Sequence, residues 1–181
     1  DMKYAISKFG KQFICLAIFI PFIGAVTSYG FSKILENMSP FQITGTYTGA
    51  LTSSAGLAAA TESSELESKH MASHFAELDD KTKGKILSII NEAKERDAKL
   101  QNQTLPEKMT VENTASISEE DIEIFVTEAK AGVGVGHSIG YPFGVLFLIL
   151  GVNFIPKIFR FNPEEEKKKY FEQKKMDLEQ D

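Results

Sequence analysis

The hydroxyl side chains best placed to do chemistry in this chain are adjacent, at Thr52, Ser53 and Ser54, inside a run of small residues over 46–60. No residue from 37 to 61 is charged. Successive helical residues point about 100° apart, so the three hydroxyls cannot share one helical face. If the helix opens here, the hydroxyls and the freed backbone N–H groups form a site for an anionic group such as a carboxylate.

The same run also allows a simpler interpretation, in which one helix continues and its hydroxyls donate to carbonyls four residues earlier. The sequence leaves both open. Gly45 and Gly49 are four residues apart, which puts them on one helical face and lets another helix approach closely. This pair by itself indicates helix packing more than binding.

The remaining reactive side chains form no recognisable enzyme site. His70 and His74 are four residues apart and could face one metal ion, but no third ligand follows at a defined spacing, so a solvated helical turn is preferred. Cys15 lies in an apolar run and is interpreted as a packing residue. The chain has no nucleophile triad and no phosphate-binding Gly-Lys-Ser/Thr loop. We therefore expect neither an enzyme nor a bound cofactor or metal.

Three uncharged stretches have the length of membrane spans. They cover 12–32, 37–61 and 131–156, each near the ~20 residues that cross a ~30 Å hydrocarbon core. Between the last two, residues 62–130 carry 16 acidic and 9 basic side chains and are predicted to be water-soluble. The chain is therefore predicted to be an integral membrane protein with the lipid bilayer as a partner, and no nucleic-acid partner is expected.

The third stretch opens with four glycines between 132 and 140, followed by Pro142. Glycine and proline both weaken a helix, so a broken start to this span is predicted instead of a straight helix. His137 falls in the same segment. An ionisable side chain inside a span is by default functional, but one at the membrane interface is not, and the sequence leaves the two placements open.

The predicted fold is all-α, with two to three transmembrane helices, a broken or re-entrant small-residue segment and an inserted soluble helical hairpin. The hairpin pairs two amphipathic helices, one from Asp79 or Asp80 to about Leu100 and one opened by Ser118. The predicted domains are a membrane segment at 1–61, an acidic helical insertion at 62–130, a membrane span with a Gly-rich, Tyr-Pro-Phe-Gly start at 131–160, and a charged cytosolic connector helix at 161–181.

Flanking charges predict the orientation. Lys3, Lys8 and Lys11 precede the first span, and Lys157 and Arg160 follow the last, which places both ends in the cytoplasm. Three complete crossings cannot satisfy that arrangement. The small-residue segment is therefore favoured as re-entrant, with the insertion on the outer side.

Two motifs, taken in order, resemble a known transporter family. GALTSSAGLAAA at 49–60 and VGHSIGYPFGV at 135–145 are similar to the paired signatures in the membrane domain of the aspartate:alanine exchanger family. The resemblance implies one half of a larger membrane protein, with the remaining half and a cytosolic regulatory domain as its partners. The chain departs from the family at Ala55, where proline is common, and at 62–130, which replaces a short connection.

The resemblance implies a secondary transporter or antiporter in the cell (inner) membrane that exchanges small carboxylated metabolites such as amino acids or dicarboxylates. A homo-oligomer remains an open option. The implied substrate-binding residues are Thr48, Gly49, Thr52, Ser53, Ser54 and Gly56, with Tyr141, Pro142 and Gly144 forming an opposing broken span.

An alternative is a two-span membrane receptor or adaptor. In that interpretation 12–32 and 133–156 are the spans, 62–130 is an extracytoplasmic helical sensing module, and 164–181 is an output helix. The two functions differ in whether the hydroxyl-rich segment is needed, since a receptor requires only that it be helical.

Overall fold

The computed structural model describes residues 2–34, 38–158, 160 and 162–179, and every regular element in these ranges is helical. The chain divides into two compact units, Asp1–Pro142 and Phe143–Asp181. The helices are α1 (Met2–Ile34), α2 (Pro40–Ala50), α3 (Ser54–Ser73), α4 (Asp80–Leu100), α5 (Glu119–Ile158) and α6 (Pro163–Glu179), with a 3₁₀ turn at Phe75–Glu77.

Two helices in the described ranges are long and apolar enough to cross a membrane, namely Phe9–Ile34 within α1 and Glu119–Ile158. Large apolar side chains of α1, such as Ile18 and Phe19, are more than half exposed, as expected for a helix whose solvent is lipid. The predicted all-α class is confirmed for the described ranges, and two candidate membrane-spanning helices are present. The second uncharged stretch forms no third long helix, because α2 has 11 residues and is only about 16 Å long.

A hydrophobic core lies in the charged part of the chain, where α3, α4 and the start of α5 meet. Ile86, Leu87 and Ile90 of α4 are buried against Phe125 of α5, and Phe75 closes the core after α3. Three helices therefore build this region, whereas the sequence analysis expected two. Helix α3 joins the core through Ala72. Ala72 is the last of four buried small residues at four-residue spacing, after Ala60, Ser64 and Ser68.

Polar contacts fix the start of α5 against α4. The Ser118 hydroxyl accepts from the Asp121 N–H (3.1 Å) and donates to the Asp121 carboxylate (2.7 Å). Asp121 also forms an ion pair with Lys94, and Arg96 pairs with Glu128. Burial raises the pKa of Asp121, but the bonds from Lys94 and Ser118 outweigh it, so this pKa is below its usual value.

Helix α5 is continuous over 40 residues, about 60 Å, and the prediction of a broken span at 132–142 is wrong. In the described ranges no glycine has a positive φ, so the glycines of α5 keep ordinary helical geometry. Pro142 removes its own N–H donor, but α5 continues through it. The same helix therefore carries part of the hydrophobic core and a candidate membrane span. Both predicted boundaries of the insertion, after 61 and after 130, fall inside continuous helices.

In the second unit, α6 follows Asn162, whose side-chain oxygen accepts from the Glu164 N–H (3.2 Å). Glu164, Glu165 and Glu166 occupy its first turn, where the positive end of the helix dipole favours acidic side chains.

Phe125 tests whether the three-helix core holds the charged region together. Phe125→Ala is expected to lower the free energy of unfolding by about 3–5 kcal/mol, because it leaves a cavity among buried side chains. The matched control is Leu100→Ala, since Leu100 is 76% exposed. The measurement is thermal unfolding of the full chain in detergent, followed by circular dichroism. Equal midpoints for the two variants would contradict the assignment.

Candidate functional site at a helix break

Helix α2 ends at a threonine in the left-handed conformation. Thr52 has a φ of 52°. The Thr52 N–H donates to the Gly49 carbonyl (2.8 Å), and the Ser53 N–H donates to the Thr48 carbonyl (3.1 Å). This bond pair is a Schellman motif, whose left-handed position is usually glycine and sometimes asparagine. A β-branched residue is strained there, by about 1–3 kcal/mol.

The end of α4 shows the ordinary solution to the same geometry. Asn102 has a φ of 51°, and the Gln103 N–H donates to the Ala98 carbonyl (2.9 Å). Asparagine tolerates this conformation because its short polar side chain bonds locally. Arg160, after α5, also has a φ of 51°. Among these three described residues Thr52 is the β-branched one, so its strain comes from this residue choice.

Helix α3 begins directly after the break. The Ser53 hydroxyl accepts from the Gly56 N–H (2.9 Å), which makes Ser53 the N-cap. Within the described part of the chain, the hydroxyls of Thr52 and Ser54 have no hydrogen-bond partner. The first-turn N–H groups of α3 carry a partial positive charge. The break thus places two unpaired hydroxyls beside a helix N-terminus, a combination that suits a carboxylate.

Helices α2 and α5 cross with their backbones in contact. A Cβ atom at Gly45 would overlap the Val133 carbonyl, and one at Gly136 would overlap the Gln42 carbonyl. Gly49 and Gly140 also leave no room for a Cβ against the facing backbones, although the overlap there would be smaller. The Gly-x-x-x-Gly face of α2 therefore packs on a second one in α5, whose glycines the sequence analysis had assigned to a helix break.

The contacts along this crossing show that α2 and α5 run in the same direction. Phe41, at the start of α2, lies against Phe125 with ring centroids 5.9 Å apart. Gly49, near the end of α2, faces the backbone at Tyr141, and a Cβ there would lie 2.8 Å from the Tyr141 nitrogen. The end of α2 is therefore beside the Tyr141 turn of α5.

Helix α3 returns along α5 in the opposite direction. Gly56, in its first turn, lies near Thr48, and Glu65 further along bonds Lys130 (2.6 Å). Helices α2 and α3 are thus a hairpin with Thr52 at its tip. The 11 residues from Lys130 to Tyr141 correspond to about 16 Å of helix, which is the depth of the hairpin along α5.

Helix α1 packs on another face of α2. The Tyr47 hydroxyl donates to the Pro21 carbonyl (2.9 Å). Gly24 leaves room for the same ring, because a Cβ there would lie 3.0 Å from Tyr47 Cε2. Tyr47 therefore ties the hairpin to the first span.

A histidine lies at the crossing. His137 Nδ1 is 3.0 Å from the Thr48 hydroxyl oxygen, which is 2.8 Å from the Gly45 carbonyl. A hydroxyl has one proton, so when Thr48 donates to the Gly45 carbonyl it accepts from a protonated Nδ1 of His137. The His137 and Tyr141 rings are 5.7 Å apart. The structure thus places His137 against protein, and it belongs with the candidate site although the sequence analysis omitted it from the binding set.

The predicted site residues fall into three groups. Thr52, Ser53, Ser54 and Gly56 form the break itself. Thr48 and Gly49 are buried in the α2–α5 crossing, with the Thr48 hydroxyl already bonded. Tyr141 and Pro142 are exposed on the turn of α5 beside the break, and Gly144 lies further along α5 in the second unit.

The histidine pair of α3 is separate from this site. His74 Nδ1 lies 2.9 Å from the His70 carbonyl, at the end of the helix. Among the residues that the structure describes, no group of three His, Cys, Asp or Glu side chains is arranged to hold a metal ion.

Part of the chain that contains the helix break matches a known protein family. Residues 2–77 match the family model Asp-Al_Ex, described as a predicted permease membrane region. The matched segment contains α1, α2, the break and all of α3. No curated protein and no solved structure matches the chain.

Gly136 tests the backbone contact. Gly136→Ala is expected to lower the thermal midpoint of the full chain in detergent, because the added methyl group must push α2 and α5 apart. Gly134→Ala is the matched control, since no atom lies within 4 Å of a Cβ there and alanine favours the helix by roughly 1 kcal/mol. A Gly136→Ala midpoint equal to that of Gly134→Ala would contradict the crossing.

The ion pair between Glu65 of α3 and Lys130 of α5 is expected to make the stability of the protein depend on pH. Hydrogen bonds from Lys130 and Lys69 hold the pKa of Glu65 at about 2, below its usual 4.5. A lowered pKa stabilises the folded state above the usual value, and this contribution is lost as the pH falls from 4.5 to about 2. Wild type should therefore lose its thermal-midpoint advantage over Glu65→Gln across that window. A constant difference from pH 6 to pH 2 would contradict the pairing.

Proposed function

We propose that the chain is part of a secondary antiporter of the aspartate:alanine exchanger family, because residues 2–77 match a family model described as a predicted permease membrane region. It exchanges small carboxylated metabolites, such as amino acids or dicarboxylates, across the cell (inner) membrane. The complete transporter includes a second membrane half and a cytosolic regulatory domain.

The break between α2 and α3 is the observation that carries this proposal. The hairpin is re-entrant: it enters the bilayer beside α5 and turns back at Thr52. Its depth of about 16 Å is half of a ~30 Å hydrocarbon core, so the tip lies near the midplane. Secondary transporters bind substrates near the midplane at the ends of interrupted helices.

The substrate carboxylate binds the start of α3. The first-turn N–H groups and the hydroxyls of Thr52 and Ser54 donate to it. Ser53 stabilises the turn as the N-cap of α3, where its hydroxyl accepts from the Gly56 N–H. Thr48 and Gly49 position the break by packing on α5. Tyr141 and Pro142 line the site from the adjacent turn of α5. The resemblance to the exchanger family implies that Gly144 also contributes to the site.

The strain at Thr52 supports a functional role for the break. A glycine or asparagine at this position would end α2 with less strain, as Asn102 does at α4. Strained backbone persists at sites where pre-organisation serves binding. With Thr52, the left-handed residue also supplies a hydroxyl at the tip of the hairpin.

The orientation follows from the same path. With α1 and α5 as complete spans and the hairpin re-entrant, both flanking basic segments are cytoplasmic, and the α3–α4–α5 core lies outside.

That buried core also favours a second function, a receptor with an extracytoplasmic sensing module. A receptor would tolerate replacement of 49–60 by a plain Leu/Ala helix, whereas the antiporter would not.

Thr52→Val tests the antiporter directly. Valine keeps the β-branched shape, so the fold is expected to persist, while loss of the hydroxyl donor to a charged group slows exchange roughly 10- to 150-fold. The assay is uptake of labelled aspartate into alanine-loaded liposomes containing the intact protein.

Two matched variants accompany it. Thr52→Ser restores the hydroxyl and should recover exchange. Thr44→Val removes a hydroxyl that bonds the Pro40 carbonyl in α2 and should leave exchange near wild type. Wild-type exchange by Thr52→Val would rule out the proposed site.

A further inference from the structure

A cavity separate from the helix break lies between α1, α2 and the first turns of α4. Its volume is about 710 Å³, within the range of small-molecule sites. Half-buried Ile43 and Tyr47 line it from α2, and Ala25 lines it from α1. Three exposed lysines also line the cavity, at positions 33, 81 and 85.

The described lining of this cavity carries positive charge and no acidic side chain. No Asp or Glu is among its lining residues in the described part of the chain, although the whole chain has a net charge of −5. Other lysines of the charged region have carboxylate partners, as Lys94 and Lys130 do. Within the described ranges Lys81 and Lys85 have none, and Lys33 lies over the Tyr29 ring (5.0 Å). Three lysines lining one cavity, with no acidic side chain among the described lining residues, favour an anion.

The cavity spans the boundary between lipid and water. Lys33 is next to the last residue of the α1 span, while Lys81 and Lys85 belong to the charged region. The α1 residues in the lining include Ala25 and Tyr29, and other apolar side chains of this helix are largely exposed, as Val26 is at 55%. A soluble anion would use only the lysines. An amphiphile would use the lysines and the apolar surface together.

We propose that this cavity binds one anionic phospholipid, with its phosphate held by Lys33, Lys81 and Lys85 and an acyl chain along α1. The bound lipid attaches the start of α4 to the membrane surface beside the hairpin. This site is independent of the carboxylate site at the helix break.

Native mass spectrometry of the purified full chain with added phosphatidylglycerol tests the proposal. K81Q/K85Q is expected to weaken binding of the first lipid at least roughly tenfold, since each lysine near a membrane surface contributes roughly fivefold. K83Q/K108Q removes the same charge outside the cavity and should leave binding near wild type; Lys83 donates to the Ala76 carbonyl instead (2.9 Å). K81R/K85R keeps the charge and should retain binding.

Two further ligands identify the source of the anion. Phosphatidylcholine, which has no net charge, is expected to bind much more weakly than phosphatidylglycerol. Glycerol phosphate has the phosphate without acyl chains and should not displace the lipid. Equal weakening in K81Q/K85Q and K83Q/K108Q overturns the proposal, and so does displacement by glycerol phosphate at the lipid's own affinity.

Discussion

The backbone contact between α2 and α5 is the constraint on which the rest of the membrane structure depends. Helices in lipid gain little from apolar burial against each other, so close packing and hydrogen bonds must hold them together. Four glycines remove the side chains that would separate these backbones. Only then can Thr48 reach His137 across the crossing. The position of the helix break beside α5 is a consequence of that contact.

The continuity of α5 extends this constraint beyond the membrane. The helix that contacts α2 at Gly136 and Gly140 also carries Phe125 of the hydrophobic core and Lys130, which bonds Glu65 of α3. A shift of this core along α5 would therefore change the register of the hairpin. The charged region is thus part of the structure that positions the helix break, and its core has the rigidity of any packed interior.

The sequence predicted the helical class, the two long spans, the Gly45–Gly49 face and the polar run from single-element rules, because each depends on local pattern alone. It was wrong about 132–142, since glycines that weaken an isolated helix are tolerated when another backbone packs against them. The contact of His137 with Thr48 could not be predicted either, because it depends on how α2 and α5 cross. The contribution of α3 to the core likewise depends on contacts between helices. The four small residues of α3 at four-residue spacing could have indicated that one face of this helix is packed.

Alanine at position 55, in place of the proline common in the family that the chain resembles, is compatible with the break. Ser53 is the N-cap, so residue 55 is the second helical residue of α3. Proline is tolerated in a first turn because the N–H it lacks has no carbonyl partner there. The break is therefore set by Thr52 and Ser53, and proline would only reinforce it. Ala55 instead keeps its N–H, so the start of α3 has one more donor for an anion than a chain with proline at this position.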